Sequence, residues 1–328
     1  MFNQNIKRVG FACMIMNDNE LQEESHKIGS LTQKKMNTLS SEERYDYLIA
    51  KVKSNLDSFK NQITYVSELP PELRMFRISS TLLPMYDHPI YGELYADYMQ
   101  ELRSILKIIG DFARENDVRL SMHPDQFCVI NSDKPHVVEK SIKCLEMHSD
   151  IARMLGYGKS FQDFKINIHL NGSTDVLPID DLSETSKMCL TLENDEKKGN
   201  IERLVSVCEK YGIAQVFDIH HHWCNTDGSY MDVNDPMVDR IIATWKGVRP
   251  TMHLSQSVER IVGDYNALPN FEEITKEQKK GKTFAHSDYI TNQYLVDYMR
   301  PFNEKFDIMV EAKMKNLASF KLHRGIRS

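Results

Sequence analysis

Two hydrophobic rhythms alternate along the chain. Apolar runs of strand length occur at residues 8–15 (RVGFACMI), 75–79 (MFRIS), 119–122, 165–170 (KINIHL), 190–193 (LTLE), 214–219, 251–254 and 307–310. Between them apolar residues return at three- and four-residue steps, the period that gives a helix one buried stripe. The first stripe, Leu48, Val52, Leu56, Phe59, Ile63 and Val66, follows Ser40-Ser41-Glu42-Glu43. That tetrapeptide has the form of a capping box, with Ser40 as N-cap and Glu43 reaching back to it. Leu102, Ile105, Ile109 and Phe112 mark a second helix; Val138, Ile142, Leu145, Ala152 and Leu155 mark a third, with Gly156 as its stop. Leu204, Val205 and Cys208 face inward on a helix over 201–211, Val238, Ile241, Ile242 and Trp245 mark the next, and a last helix crosses 289–299. The connection 171–189 barely exceeds the minimum for a strand–helix–strand crossover, so its helix is expected to be a stub.

Strands separated by helices read as repeated βα units around a parallel sheet. Eight such units in 328 residues match a closed (β/α)8 TIM barrel, which needs about 250 residues. A doubly wound open sheet is the competing α/β arrangement, but Gly10 stands in no G-x-G-x-x-G fingerprint and the sequence holds no P-loop. No linker or shift of composition divides the chain. The expected organisation is one barrel domain over 1–328, with a polar N-terminal loop at 17–40 and an inserted polar loop at 256–282, which ends in Lys279-Lys280-Gly281-Lys282.

Composition narrows the class. Hydrophobic residues make up 41% of the chain, enough for a sizeable core, yet no apolar run approaches the roughly 20 residues that span a bilayer. The opening MFNQNIKRVGF lacks the apolar stretch of a secretory signal, so an intracellular protein away from membranes is expected. Six cysteines are scattered without a C-x-x-C pair, which disfavours both a disulfide framework and a structural zinc knuckle. The net charge of −6 leaves no basic footprint, and a nucleic-acid partner has to be held by a local positive patch.

In a barrel of this kind the C-terminal ends of the strands converge on one face, and function sits there. The second run leads through a short loop to His88, the third ends in His123, the fourth carries His169 and the fifth ends in Glu193. The sixth runs into FDIHHHWC (217–224), where Asp218 precedes His220, His221 and His222; the seventh gives His253 and the eighth ends in Glu311. His286 lies just ahead of the last helix. One histidine at a strand end is more often a satisfied polar residue than a ligand, but the joint pattern resists that reading. Mixed imidazole and carboxylate donors suit Zn²⁺, Mn²⁺ or Fe²⁺, and the number of them exceeds one tetrahedral site and points to two or three divalent ions. Metals about 3.5–4 Å apart form a clamp for in-line displacement at phosphorus. Glu193, Asp218 and Glu311 are the candidates to hold and bridge such ions. Lys313, two residues past Glu311 on the same strand face, is the candidate to stabilise the developing charge. Within the histidine run, pleat alternation alone would group Asp218 with His220 and His222.

The blocks FRIS (76–79), MHPDQF (122–127), INIHLNG (166–172), LTLENDE (190–196), VFDIHH (216–221), MHLSQS (252–257), AHSDY (285–289) and MVEAK (309–313) give the chain a further identity. In their order and spacing it resembles the UV damage endonucleases over nearly its whole length. The resemblance implies a (β/α)8 barrel holding a cluster of metal ions, Mn²⁺ by the family's usual assignment with Zn²⁺ or Mg²⁺ as alternatives. It implies a monomeric enzyme that nicks double-stranded DNA immediately 5′ to cyclobutane pyrimidine dimers or 6–4 photoproducts. The implied metal ligands are His88, His123, His169, Glu193, Asp218, His221, His253, His286 and Glu311. This register selects His221 from the histidine run, leaving His220 packed and His222 beside the site or facing DNA. The family's lesion-probing pair falls on Gln126 and Phe127, and Phe11, which is Tyr in some relatives, is expected beside the site. Some members carry a carboxylated lysine as a metal bridge two residues before the strand-seven histidine; Thr251 stands there, so no carbamate forms at that position. Two other functions fit parts of the pattern: a metal-dependent sugar isomerase or epimerase on the same barrel, and a damage-binding protein whose catalysis has weakened.

Overall fold

The computed structural model describes residues 2–257 and 267–328. Its eight strands are β1 (Val9–Ala12), β2 (Met75–Ile78), β3 (Arg119–Met122), β4 (Lys165–His169), β5 (Leu190–Glu193), β6 (Ala214–Asp218), β7 (Thr251–Leu254) and β8 (Asp307–Val310). Each pairs in parallel with its successor and β8 pairs with β1, closing the barrel. Each predicted run contains one strand. The first stops earlier than its apolar length suggests, because Cys13 adopts a left-handed φ of 68° and its N–H turns to the Arg77 carbonyl at 2.8 Å.

The helices that return the chain are α1 (Gln33–Asn37), α2 (Ser41–Glu68), α3 (Met99–Glu115), α4 (Pro135–Met154), α5 (Glu184–Cys189), α6 (Ile201–Tyr211), α7 (Ile219–Asn225), α8 (Pro236–Ala243), α9 (Phe271–Glu277), α10 (Lys280–Thr283), α11 (Gln293–Lys305) and α12 (Lys315–Arg327). Both halves of the Ser40–Glu43 capping box form at the start of α2. The stub expected between the fourth and fifth strands is α5, six residues long.

Two polar segments are more ordered than their composition suggested. The N-terminal loop at 17–40 contains a 3-10 turn at Glu24–His26 and α1, whose Thr32 side chain accepts from the Lys35 N–H. Of the loop at 256–282, residues 258–266 lie outside the described residues, and much of the rest is helical in α9 and α10. The apolar pair Phe271 and Ile274, buried with Trp223, anchors α9. No described helix is long and apolar enough to cross a membrane.

Strand alternation decides what faces the barrel axis. Leu120, Met122, Ile166, Ile168, Leu190 and Leu192 point outward into the helix-covered core, so Arg119, Ser121, Lys165, Asn167, Thr191 and Glu193 point inward. Barrel interiors are usually stacked with branched apolar residues; here a small apolar patch, Ala12, Met75 and Met309, is set in a polar lining. Gly10 belongs to that patch, since a Cβ there would lie 2.6 Å from Met75. At the N-terminal mouth, buried Asp307 accepts from the Arg8 N–H at 2.8 Å, Arg119 Nη1 at 2.6 Å and Arg249 Nε at 2.7 Å. Charge chemistry thus plugs the bottom of the barrel and leaves the C-terminal mouth for function.

Candidate metal centre

Glu193, fully buried at the end of β5, is the pivot of the mouth. Its Oε1 lies 3.1 Å from His253 Nδ1 and 3.4 Å from His221 Nδ1. Its Oε2 lies 3.3 Å from His123 Nε2 and 3.9 Å from His169 Nε2, and accepts from the Asn167 amide. Glu311, just past β8, stands 3.3 Å from His253 Nδ1 and accepts from Arg77. The strands deliver these side chains because His169, Glu193 and Asp218 end their strands, His123 and Glu311 follow theirs by one residue and His253 stands one residue short of the end of β7, all with the same inward parity.

Among the described residues four overlapping groups have ligand atoms within 4.8 Å of one another: His123, His253 and Glu311; His123, His169 and Glu193; His169, Glu196 and His221; and Glu193, Asp218 and His253. Buried Asp218 Oδ2 has no hydrogen-bond partner among the described residues, which is costly unless something positive meets it. An orphaned carboxylate oxygen among imidazole nitrogens fits a cluster of divalent ions. The donor set does not choose among them.

The charges are set against one another. Burial would raise Glu193, but His253 and His169 and the hydrogen bonds from His123 and His221 hold it well below the carboxylate range. Burial would lower His221, yet Asp218 and Glu193 raise it well above the usual imidazole value. Burial raises Asp218 to about 7, against the opposing pull of His221. Arg77 and His253 likewise overcome burial to keep Glu311 well below its ordinary value.

The histidine run turns on a change of secondary structure. Asp218 ends β6 and caps α7, its Oδ1 accepting the His221 N–H at 2.7 Å. From there the chain is helical, so the residue three along returns over the cap and the pleat rule no longer applies. His221 Nδ1 lies 3.8 Å from Asp218 Oδ2. His220 stacks on Trp223 with centroids 5.8 Å apart, and burial with the neighbouring His286 and His221 pushes it down to about 3. His222 packs edge-on against Phe217, on the helix side of the strand. His221→Ala is expected to remove bound metal, and His220→Ala to leave metal content unchanged at some cost in stability. Metal analysis of both purified variants checks this, and the reverse pattern would overturn the register.

Seven of the nine expected ligands therefore converge. His88 joins none of the four groups; its Nδ1 accepts the N–H groups of Ile90 and Tyr91 at 3.2 and 3.3 Å, and its ring packs on Tyr91. His286 stands at the rim, edge-on to His220 at 5.7 Å and 6.4 Å from His221, and joins none of the four groups. Gln126 is exposed and Phe127 is 73% exposed on the loop after β3. Phe11 corrects the expectation of a place beside the site. It is fully buried, edge-on to Phe76 and Phe320, because Gly10 and Ala12 take the inward positions of β1. Lys313 is 56% exposed and pairs with Asp288 at 3.3 Å. Lys315, half-buried at the start of α12 with a left-handed φ of 48°, lies within the electrostatic reach of Glu311 and Arg77.

Other members of the centre went unread. Glu196 lies three residues past Glu193, and Asp195 sits 3.6 Å from His169 Nδ1 while bonding the N–H groups of Lys197 and Lys198. Lys165 reaches across the barrel to put Nζ 2.9 Å from His253 Nε2, leaving Nδ1 to face the carboxylates. Burial pulls Lys165 down to about 7 against the raising effect of Glu193. Thr251, below His253 on the same face, is buried with its Oγ1 unpartnered; the amine beneath His253 comes from β4 instead. The signal was available as parity: in K-I-N-I-H the polar residues Lys165, Asn167 and His169 alternate with apolar ones.

A family model described as UV-endonuclease UvdE matches residues 7–328. The UV DNA damage endonuclease of Bacillus cereus (strain B4264) is 29% identical over 298 residues, covering 87% of this chain and 84% of the relative. That of Bacillus velezensis (strain DSM 23117 / BGSC 10A6 / LMG 26770 / FZB42) is 29% identical over 308 residues, covering 89% and 87%. The crystal structure of SacUVDE is similar throughout, with a TM-score of 0.71, 27% identity and 98% of each chain covered.

Proposed function

The chain belongs to the UV-endonuclease UvdE family, and we propose that it nicks duplex DNA immediately 5′ to cyclobutane pyrimidine dimers and 6–4 photoproducts by hydrolysing the phosphodiester. The observation that carries this reading is Glu193 held among His123, His169, His221 and His253, with the exposed Gln126-Phe127 pair three and four residues past His123 on the loop after β3. Two or three divalent ions, Mn²⁺ first among them, would supply an activated water and a Lewis acid for the leaving oxygen.

The chain's own residues do the rest. Glu193, Asp218 and Glu311 would hold the ions, with His123, His169, His221 and His253 completing their shells; the family pattern extends the set to His88 and His286. Asn167 and Arg77 fix the two glutamates by hydrogen bonds, so the acceptor oxygens need little rearrangement on loading. Lys315, on the Glu311 side of the mouth, replaces Lys313 as the cation for the phosphoryl oxygens. Gln126 offers an amide to base edges left unpaired opposite a lesion, and Phe127 a ring that wedges into the opened stack. An exposed aromatic side chain on the loop after β3 suits a bent duplex better than a small sugar. The protein is proposed to act as a monomer inside the cell, where its DNA lies.

Incubation of a defined dimer-containing duplex with protein and Mn²⁺ is expected to give one cut 5′ to the lesion and none in an undamaged control. Phe127→Ala is expected to lower lesion-dependent cutting about tenfold, the worth of one lost base-stacking contact. Equal cutting of damaged and undamaged duplexes, or none of either, would reject the reading.

A further inference from the structure

A thiol pair lies beneath the exposed loop. Directly after Phe127 the chain turns inward, and Cys128 is 4% exposed. Its Sγ–H donates to the Ser141 carbonyl of α4 at 3.5 Å, and the next N–H, of Val129, bonds Ser141 Oγ at 2.8 Å. The loop is thus seated on one turn of α4. One turn further along, Cys144 stands on the same face of α4 as Ser141, close enough that each thiol influences the ionisation of the other. On the far side of Cys144, His148 Nδ1 lies 3.9 Å from its Sγ. His148 is itself buried, with Nε2 unpartnered and Nδ1 held on the Cys144 carbonyl at 2.7 Å. Cys144 is partly accessible, as the first sulfur to meet an oxidant must be; Cys189, Cys208 and Cys224 are buried.

We infer that Cys128 and Cys144 form an oxidisable dithiol, converted by a peroxide to a disulfide that ties the Gln126-Phe127 loop to α4 and weakens damaged-DNA binding. In the first step the Cys144 thiolate attacks a peroxide oxygen; the O–O bond breaks, a sulfenic acid forms and hydroxide leaves. In the second, Cys128 attacks that sulfur, the S–S bond forms, the S–O bond breaks and water departs with the Cys128 proton. The charge balance around the pair favours this order. The neighbouring Cys128 thiol, with help from His148 and against burial, holds Cys144 down to about 5, while the same neighbour and burial push Cys128 up. Asp87 and Asp125 face the two thiols and act the other way. An S–S bond of about 2.05 Å draws Cys128 closer to α4 than a non-bonded contact does, and Phe127, its chain neighbour, is drawn in with it.

The effect on DNA rests on the lesion-probing role of Gln126 and Phe127; the bond itself does not. The full-length protein is treated with hydrogen peroxide and compared with a reduced sample by intact mass, peptide mapping and binding to dimer-containing duplex. The expected result is loss of two hydrogens, a single linked peptide pair containing Cys128 and Cys144, and binding weakened about fivefold or more, restored by dithiothreitol. Cys128→Ser is expected to stop at the sulfenic acid on Cys144 and to bind damaged duplex as tightly after peroxide as before. A different linked pair, no linkage, or a disulfide without effect on binding overturns the inference. Failure of the reduced protein to bind damaged duplex rejects the lesion-probing role instead, and the reduced arm separates the two.

Discussion

Glu193→Gln is expected to empty the metal centre and to lower incision by about 10³-fold, the order seen when one preorganised electrostatic group is removed from an active site. Glutamine preserves size and the contacts of the side-chain stem, so the barrel is expected to fold. What changes is charge and hydrogen-bond sense. Four histidines converge on the two carboxylate oxygens, and the Asn167 amide already donates to one of them. An amide nitrogen in either place sets donor against donor and cannot ligate. With the charge gone, His169 and His221, which Glu193 helps to raise, also lose part of what holds their protons. Metal analysis is expected to show at least one ion lost per chain. Glu196→Gln, which touches only one of the four groups, is expected to do less. Full metal content with undiminished incision in Glu193→Gln would remove Glu193 from the centre. The same electrostatics set a pH dependence: ligands bind metal only without their protons. Since Asp218 and Glu193 raise His221, loading is expected to weaken as pH falls and that ring charges.

What the sequence disclosed and what it hid follow from one geometric fact. Strand ends are legible because short apolar runs stop where a polar residue begins, so His123, Glu193, His253 and Glu311 stood out. Residues that reach the centre from lower in the barrel were hidden. Lys165 begins a run rather than ending one, and only its long stem carries the amine up to His253. Arg77 sits mid-strand and meets Glu311 from the neighbouring side. Inward parity marks both, but parity needs the sheet register before it can be read. Lys313 shows a different limit. Extending the strand two residues past Glu311 places Lys313 on its face, whereas β8 has already ended at Val310 and the exposed Lys313 pairs with Asp288. His221 was chosen over its neighbours by family register alone; the physical reason is that Asp218 caps a helix, which composition at that point does not announce. Phe11 misled because aromatic identity carries no orientation, and Gly10 and Ala12, the small residues beside it, decide which way it points.

Asp307→Ala is expected to cost about 3–5 kcal/mol of stability, the usual effect of leaving a buried charge without its partner, while the folded protein keeps its metal. Asp307 is fully buried and lies at the opposite mouth from Glu193. It accepts from Arg119, Arg249 and the Arg8 backbone, and Phe2 lies over the Arg119 guanidinium at 4.1 Å. Burial already pulls Arg119 down, and Asp307 is the first influence opposing it. Arg8 keeps a second partner in Asp117 at 2.6 Å and Arg249 keeps the carbonyls of Asn303 and Phe306; Arg119 keeps the Arg249 carbonyl at 2.8 Å but loses its counter-ion, so it bears most of the loss. Urea unfolding is expected to show a lower midpoint with an unchanged slope, since the surface exposed does not alter. Replacing Arg119 by Met in the same chain is expected to recover a good part of the loss, because the uncompensated cation then disappears with its counter-ion. A loss under about 1 kcal/mol, within the range of exposed pairs, would mean that solvent reaches these guanidiniums and that the polar plug is not what closes the barrel. Loss of metal along with stability would mean that the two mouths are coupled through the lining, with Lys165 the residue that spans it.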